Sequence, residues 1–355
     1  MSCWVRVGFC APLSGDQAVV GIPMAQVAAM AICEFNAQDI LPYPVELVTV
    51  DDQASEAGAV RVSRGLIGDP HLVAVVGHKN TGPCLKAGEH YEQAGVPYLT
   101  PSATGVSLGQ RGHSTFFRLC CHDRAQGELA GEFVSRQLQA SGTLVVHDGT
   151  GYGQSLARAF GESLGQRSQI RVWDLEVEEG HREYPQVTKA LDRTGANVVY
   201  LALTEIEAAV VASQLRQARY RVHLVGADGS PYSKFPELAQ EAADGAYMTY
   251  AGFDGEETPG GRAFIARYRE RYCEEPPVYA LEVYDAVTAV FRGLSALGEG
   301  DPPQRRLLPH KIRELGTWEG LSGRVEFDQR GERLGIKPTM WVVRGDKPVR
   351  WWEPA

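Results

Sequence analysis

Two polar loops follow apolar strands in the first third of the chain, and their residue types suit the binding of an anion. Val-Val-Gly at 75–77 leads into His-Lys-Asn-Thr-Gly, and Val-Pro-Tyr-Leu at 96–99 leads into Thr-Pro-Ser-Ala-Thr. In an open parallel sheet, ligands collect outside the carboxyl ends of the strands, where loop amides and helix N-termini favour negative charge. The two loops, lying side by side, therefore predict a cradle for a carboxylate.

A candidate for the opposite charge, Asp228, ends a strand in the second half of the chain, within Val-Gly-Ala-Asp-Gly at 225–229. A zwitterion such as an amino acid requires hydrogen-bond donors at one end and an ionised acceptor at the other. The same pattern also fits an ordinary Asp-Gly turn. Asp228 thus indicates either the ammonium side of a zwitterion site or a structural turn.

The segment at 149–154, Gly-Thr-Gly-Tyr-Gly-Gln, follows a strand and opens a helix, as a dinucleotide-binding fingerprint does. It lacks the third glycine, because Gln154 stands there, and Glu176 is the only loose candidate for the acidic residue expected about 20 positions on. The alternative is that the glycines free a turn from which Tyr152 projects over an apolar ligand.

Two motifs of common enzymes are missing from the sequence, the phosphate loop Gly-x-x-x-x-Gly-Lys-Ser/Thr and His-Glu-x-x-His. His147-Asp148 ends a strand, and without a nucleophile nearby we interpret Asp148 as a turn residue that caps the next helix. We expect a protein that is not an enzyme, with no catalytic residues, no metal and no cofactor. A nucleotide-using enzyme built on the 149–153 turn is the rival.

Length and composition narrow the class of protein. The 355 residues exceed the roughly 100–200 typical of one domain, which favours two domains. The net charge of −9 argues against sequence-independent binding of nucleic acid. The seven cysteines include no Cys-x-x-Cys pair, so we interpret most of them as small buried apolar side chains. No run reaches the roughly 18 apolar residues of a transmembrane helix, and the first residues lead almost directly into a strand.

Segments with strand and helix patterns alternate along both halves of the chain. Strands are predicted at 5–10, 45–51, 73–77, 143–147, 170–175, 197–203 and 223–226, and helices at 24–36, 55–65, 153–164, 184–194, 205–218, 262–272 and 279–294. This winding predicts an α/β fold with two doubly wound, Rossmann-like lobes of parallel sheet flanked by helices. The tail at 318–352 is predicted to be extended.

Several motifs together resemble the branched-chain amino-acid-binding proteins, the leucine/isoleucine/valine receptors that serve ABC importers. The resemblance covers nearly the whole chain. It rests on Ala11-Pro12-Leu13-Ser14-Gly15, Gly77-His78, Thr100-Pro101-Ser102-Ala103-Thr104, Phe117-Arg118, Asp123, Gln126-Gly127, His147-Asp148, Tyr152-Gly153, the helix end at 214–218 and Tyr284-Asp285-Ala286-Val287.

The resemblance implies the type I periplasmic binding protein architecture, in which two lobes joined by a three-strand hinge close on a ligand in the cleft. We expect an N-terminal lobe of residues 1–122 plus 251–327 and a C-terminal lobe of residues 123–250 plus 328–355. The crossovers would lie near 121–123, 250–253 and 327–329.

The resemblance also implies a ligand site. Thr81, Ser102 and Thr104 would bind the ligand carboxylate, Asp228 matches the acidic partner of the ammonium, and Tyr152 and Tyr279 would line the side-chain pocket. The complete implied set is Val20, Thr81, Ser102, Ala103, Thr104, Tyr152, Thr204, Asp228 and Tyr279.

Three departures from the family pattern bear on the ligand and the compartment. Val20 stands where an aromatic residue is common, and Thr204 where a tyrosine is found, which implies a wider or differently polar pocket. The aspartate at 228 is shorter than the usual glutamate. The family's disulfide has no counterpart, since Gln53 and Asn80 occupy the corresponding regions.

The resemblance implies an extracytoplasmic receptor that binds a branched-chain or similar amino acid and delivers it to the permease subunits of an ABC importer. We expect a monomer, with a dimer as the alternative, and a periplasmic or lipid-anchored location for which Cys3 is a candidate anchor residue. The rivals are a cytosolic ligand sensor of the same fold, similar to amide sensors, and a receptor for another small carboxylate or a sugar.

Overall fold

The computed structural model describes residues 4–228, 233–298 and 305–352, so Cys3 and Gly229 lie outside the described residues. The chain divides into two compact units. Unit 1 comprises Met1–Cys120 and Gly252–Ile336, and unit 2 comprises Cys121–Ala251 and Lys337–Ala355.

The third change of unit falls after Ile336, later in the chain than the predicted 327–329. The reason is that the segment before it is hydrogen-bonded to the last strand of the unit 1 sheet. The Arg118 amide donates to Gly331 O at 2.8 Å, and the Arg118 guanidinium forms an ion pair with Glu332.

Unit 1 is built on a five-stranded sheet whose strands are all parallel, in the order β2-β1-β3-β4-β5. Its strands are β1 (Val5–Ala11), β2 (Val45–Asp51), β3 (Leu72–Gly77), β4 (Tyr98–Thr100) and β5 (Phe116–Arg118). Cys10 pairs with Gly77, and Val76 pairs with Leu99, so β1, β3 and β4 end at one edge of the sheet. The loops that follow these three strands are therefore neighbours.

Helices cover this sheet, and a short antiparallel hairpin completes the unit. The helices are α1 (Ala18–Asn36), α2 (Glu56–Ile67), α3 (Thr81–Ala94), α4 (Ser107–Gln110), α10 (Pro259–Tyr272), α11 (Ala280–Leu297) and α12 (Leu308–Glu314), with a 3-10 turn at Gly255–Glu257. The hairpin consists of β11 (Trp318–Gly320) and β12 (Gly323–Val325). Helix α2 begins where the Ser55 hydroxyl accepts a hydrogen bond from the Gly58 amide, the usual role of an N-cap serine.

Helix α1 is long and apolar enough to cross a membrane by length and composition. Its sequence is not an uninterrupted apolar run, because polar residues such as Gln26 and Asn36 interrupt it. These residues are bonded within unit 1: Gln26 accepts from the Tyr268 hydroxyl at 2.8 Å, and Asn36 donates to Val45 O at 2.8 Å. Since α1 also packs against β1 and α11, we interpret it as a core helix.

Unit 2 contains a seven-stranded mixed sheet in the order β14-β13-β10-β9-β8-β6-β7. Its strands are β6 (Gly142–His147), β7 (Arg171–Glu176), β8 (Val198–Ala202), β9 (His223–Gly226), β10 (Tyr247–Tyr250), β13 (Thr339–Arg344) and β14 (Lys347–Trp352). The pairs from β7 to β10 are parallel, whereas β13 and β14 are antiparallel to their neighbours. The doubly wound pattern predicted for both halves is confirmed.

The helices of unit 2 alternate with its parallel strands. They are α5 (Asp123–Gln137), α6 (Gly151–Arg167), α7 (Pro185–Thr194), α8 (Glu205–Gln217) and α9 (Phe235–Ala239), with a 3-10 turn at Gln240–Ala243. Helix α7 has Pro185 in its first turn and ends at Gly195, whose φ of 65° is left-handed, so it follows the usual proline-to-glycine pattern. The sheet is packed on both faces by separate apolar clusters.

The prediction for the cysteines is confirmed for Cys10 and Cys84, which are fully buried, and for the buried pair Cys120 and Cys121. The exceptions to this prediction are two exposed cysteines, Cys33 in α1 and Cys273 after α10. Cys273 occupies the C-cap position of α10 with a left-handed φ of 56°, a position more often taken by glycine.

Candidate functional site

The two loops predicted to hold a carboxylate are tied to each other in unit 1. Ser102 Oγ donates to Lys79 O at 3.1 Å, and the Gly105 amide donates to Thr81 Oγ1 at 3.1 Å. Thr81 opens α3, so its amide belongs to the first turn of a helix that follows β3 directly. The structure therefore brings Thr81, Ser102, Ala103 and Thr104 together at the edge where β3 and β4 end.

Thr104 supplies the hydroxyl of this cradle that is still able to form a hydrogen bond. The residue is 1% exposed, and within the described residues its Oγ1 has no hydrogen-bond partner. A buried hydroxyl without a partner is costly, typically about 1–3 kcal/mol, unless a ligand or a water supplies one. The Thr104 hydroxyl is therefore available to a ligand carboxylate.

A buried guanidinium supports the cradle from behind. Arg118 is fully buried, and its Nη1 donates to Ala103 O at 3.1 Å and to Gly105 O at 2.8 Å. Its Nε and Nη2 form a bidentate ion pair with Glu332. Because a guanidinium has a rigid planar fork, these bonds fix two carbonyl groups on either side of Thr104.

A second buried network reaches the cradle through the backbone of His78. The Thr100 hydroxyl donates to His78 O at 2.9 Å and accepts from the Ala103 amide at 2.9 Å. The His78 ring lies between Asp52 Oδ2, 2.6 Å from Nδ1, and the Tyr91 hydroxyl, 3.2 Å from Nε2. Burial opposes protonation of the ring, but Cys10 and the hydrogen-bonded Asp52 carboxylate raise the pKa of His78 to about 9.

Two further predicted residues lie elsewhere in unit 1. Val20 is buried in the first turn of α1, the helix that follows β1, and β1 ends at the same edge as β3. Tyr279 is buried at the start of α11 with a left-handed φ of 61°. Helix α11 packs against β3 and β4, so both residues belong to elements that border the cradle.

In unit 2 the structure places Tyr152 and Asp228 in direct contact. The Tyr152 hydroxyl donates to Asp228 Oδ2 at 2.7 Å, and Gln126 Nε2 donates to Oδ1 at 3.2 Å. Burial and the neighbouring Asp228 raise the pKa of Tyr152 well above its ordinary value, so this phenol stays a donor. Asp228 follows β9 with a left-handed φ of 58°, a conformation that aspartate tolerates better than most residues.

Gln126 is held in place by a third residue. Its Oε1 accepts from the Thr249 hydroxyl at 2.8 Å, and the glutamine is fully buried in α5. This chain from Thr249 through Gln126 to Asp228 orients the carboxylate from one side while Tyr152 orients it from the other. Each oxygen of the Asp228 carboxylate accepts a hydrogen bond from a neutral donor, and a carboxylate is a suitable partner for an ammonium group.

Thr204 follows β8 and caps α8, one strand away from Asp228. Its hydroxyl donates to the carboxylate of Glu207, a residue that is 6% exposed. Burial raises the pKa of Glu207 to about 7. Position 204, where the family pattern has a tyrosine, thus carries a hydroxyl that is hydrogen-bonded to the buried acid Glu207.

The glycines at 149–153 are explained by the turn itself. Gly149 has a left-handed φ of 72°, and a Cβ on Gly153 would lie 2.3 Å from Asp148 Oδ1. Asp148 forms the predicted turn by accepting from the Thr150 amide at 3.0 Å, but the residue that caps α6 is Thr150, not Asp148. This is a correction, and it arises because the Thr150 hydroxyl reaches the Gly153 amide.

Sequence reasoning missed the roles of Gln126, Thr249 and Arg118. Gln126 and Asp228 are 102 positions apart, and Arg118 and Glu332 are 214 positions apart, so no local pattern signals either contact. Across the described ranges, no group of three or more His, Cys, Asp or Glu side chains is arranged to hold a metal ion.

Comparison with known proteins shows which proteins this chain is similar to. The sequence profile described as periplasmic binding protein matches residues 5–348. The chain is 27% identical to the Leu/Ile/Val-binding protein homolog 1 of Brucella melitensis, over 93% of this chain and 88% of the relative. It is also 27% identical to the leucine-, isoleucine-, valine-, threonine- and alanine-binding protein of Pseudomonas aeruginosa, over 96% and 90%. A solved leucine-binding protein from Thermotoga maritima superposes with a TM-score of 0.89 at 20% identity, over 98% of both chains.

Proposed function

Because this chain belongs to the periplasmic binding protein family, we propose that it is an extracytoplasmic receptor that binds an α-amino acid and delivers it to an ABC importer. The names of the relatives make the branched-chain amino acids the first candidates for the ligand. The receptor acts by binding alone and has no catalytic step.

The observation that carries this proposal is that the two units each offer a half-site and that the two half-sites have opposite chemistry. Unit 1 offers hydroxyl groups and the first turn of α3, together with a buried Thr104 Oγ1 that has no hydrogen-bond partner among the residues that the structure describes. Unit 2 offers the Asp228 carboxylate, oriented by Tyr152 and Gln126. A carboxylate suits the first half-site and an ammonium suits the second, and an α-amino acid carries both groups.

In this proposal the ligand carboxylate is bound by Thr81, Ser102 and Thr104, and the ammonium by Asp228. Val20, Ala103, Tyr152, Thr204 and Tyr279 complete the site. A ligand can shift a conformational equilibrium only by its differential affinity for the two states, so contacts from both units favour a closed form. The permease subunits then recognise that form, and the receptor acts as a monomer.

The test is thermal unfolding of refolded, ligand-free protein in the presence of amino acids, amino-acid amides, aromatic carboxylates and sugars. A ligand at 100 times its dissociation constant stabilises the folded state by about 2.7 kcal/mol, which gives a readily measured rise in the midpoint. We expect α-amino acids to raise the midpoint and the Asp228→Ala substitution to abolish the rise.

An exposed acid on the same unit, Glu162, supplies the matched control. Glu162→Gln should leave the ligand-induced rise unchanged. If only ligands that lack an ammonium group stabilise the protein, the amino-acid assignment is wrong and a receptor for another small carboxylate takes its place. Stabilisation by amides alone would instead favour the ligand-sensor rival.

A further inference from the structure

Lys79 carries a positive charge next to the carboxylate cradle of unit 1. Its ammonium lies 3.2 Å from Asn80 Oδ1 and 3.4 Å from Gln17 Oε1, both neutral amide oxygens. Within the described part of the chain, no carboxylate lies at ion-pair distance from Lys79 Nζ. The side chain is only partly exposed, so water screens its charge incompletely.

The backbone of Lys79 belongs to the cradle itself. Its carbonyl accepts the hydrogen bond from Ser102 Oγ, and Thr81 follows two positions later. A lysine side chain spans roughly 6 Å from Cα to Nζ by ordinary bond lengths. The ammonium is therefore within reach of a second group on a ligand whose carboxylate is bound by Ser102 and Thr81.

The amide partners satisfy the donors of Lys79 but do not balance its charge. Moving a cation partly out of water costs free energy. A hydrogen bond to an anion offsets this cost better than a hydrogen bond to a neutral acceptor. Lys86, on α3 of the same unit, shows the ordinary arrangement, since its Nζ pairs with Glu56 at 3.8 Å on the surface. The two lysines thus differ in whether this chain supplies their counter-ion.

We propose that Lys79 binds a second anionic group, carried by the side chain of the ligand, so that this receptor prefers acidic α-amino acids to their neutral isosteres. The inference rests on the proposed function and narrows the class of amino acid. In L-glutamate the two carboxyl carbons lie roughly 5 Å apart by ordinary bond lengths, a span compatible with the reach of Lys79 from the cradle. The small polar Thr204, which stands where the family pattern has a tyrosine, is consistent with a polar ligand side chain.

The experiment is isothermal titration of the ligand-free protein with L-glutamate, L-glutamine and L-leucine. Glutamate and glutamine are nearly isosteric, so their affinity ratio reports the charge alone. We expect the wild type to bind glutamate at least about tenfold more tightly than glutamine. Lys79→Met should remove this preference, and Lys79→Gln, which keeps a polar side chain, should do the same. Lys86→Met should preserve the preference.

The outcomes separate this inference from the function on which it rests. If the wild type binds glutamine or leucine as tightly as glutamate, or if Lys79→Met keeps the preference for glutamate, the role of Lys79 is wrong and the amino-acid receptor stands. If no α-amino acid binds the wild type, the proposed function fails and the Lys79 assignment fails with it. Thermal unfolding of each variant shows whether a lost preference comes with an intact fold.

Discussion

The hydroxyl of Tyr152 donates a 2.7 Å hydrogen bond to Oδ2 of Asp228, across 76 positions of sequence. Tyr152 stands in the first turn of α6, and Asp228 follows β9 after Ala227, so the bond links the start of a helix to the loop that follows a strand of the unit 2 sheet. The bond holds the charged side chain of Asp228 in one orientation, at a residue whose backbone conformation is left-handed.

Removing the Tyr152 hydroxyl should weaken both folding and binding. A hydrogen bond to a charged group contributes about 1.5–3 kcal/mol, so Tyr152→Phe should lower the free energy of unfolding by about that amount. Because Asp228 then loses one of its orienting donors, amino-acid affinity should fall about tenfold. Urea unfolding and calorimetric titration measure the two effects.

Tyr220→Phe is the matched control, since the Tyr220 hydroxyl donates to the exposed Asp192 at 2.6 Å on the same unit. It should leave affinity unchanged. Equal losses of affinity in both variants would mean that Tyr152 acts through the general stability of unit 2 and not through Asp228.

The relay behind Asp228 should show a graded response. Gln126→Leu removes the donor to Asp228 Oδ1 and leaves the buried Thr249 hydroxyl with only a 3.5 Å contact to Gly226 O. Thr249→Val removes the 2.8 Å bond to Gln126 and the 3.5 Å contact to Gly226 O, but it keeps the Gln126 donor to Asp228. We expect a loss of about 1–3 kcal/mol in unfolding free energy for the first variant and about 1 kcal/mol for the second. Amino-acid affinity should follow the same order, and the reverse order would show that Gln126 does not orient Asp228.

The strands and the loop residues that follow them could be predicted, because alternating or continuous runs of apolar residues are visible in the local sequence. Thr81 and Ser102 were placed correctly together for this reason: each follows a strand of one parallel sheet. The partners of buried charges could not be predicted. Arg118 and Glu332 meet because residues that precede Ile336 return to the β5 edge, and no local pattern encodes that return. Helix α1 was placed correctly only in its second half, since its first turns have no cap residue that bonds through its side chain.

Replacing Arg118 should damage the carboxylate half-site selectively. Arg118→Lys keeps a positive charge but cannot bond Glu332, Ala103 O and Gly105 O together, because an ammonium lacks the planar fork. We expect the loss of stability of about 3–5 kcal/mol that is typical of a broken buried ion pair. We also expect a reduced preference for an amino acid over its α-carboxamide.

Arg333 offers the control for this prediction, since it is another buried arginine of unit 1 whose guanidinium bonds Leu119 O and Ser322 O. Arg333→Lys should destabilise the protein and keep the preference for the carboxylate. Calorimetric titration with the best-binding amino acid and its amide decides the point. An unchanged preference in Arg118→Lys would reduce Arg118 to a purely structural residue.

Glu207 should make the stability of the protein fall as pH rises. Burial raises its pKa to about 7 from 4.5, so the folded state holds a proton that the unfolded state releases. The stabilisation from this proton is complete below pH 4.5 and is lost as pH rises through about 7. Between pH 5 and pH 8, the unfolding free energy of the wild type should fall by up to about 3 kcal/mol relative to Glu207→Gln. Urea unfolding at both pH values tests this, and a constant difference between the two proteins would contradict it.

His78 should have a pH dependence of the same sign as that of Glu207, displaced toward alkaline pH. Its pKa is raised from 6.5 to about 9, so the stabilisation is complete below pH 6.5 and is lost as pH rises through about 9. The geometry agrees, because both ring nitrogens lie within hydrogen-bond distance of oxygen atoms, of Asp52 and of Tyr91, and only an imidazolium donates from both. Nitrogen NMR of the imidazole should therefore find the ring protonated at pH 7.5. Asp52→Asn removes the carboxylate and should shift the titration of His78 to lower pH. A wild-type midpoint at or below 6.5 would mean that burial outweighs the carboxylate, and the backbone of His78 would then be held at the cradle by a neutral ring.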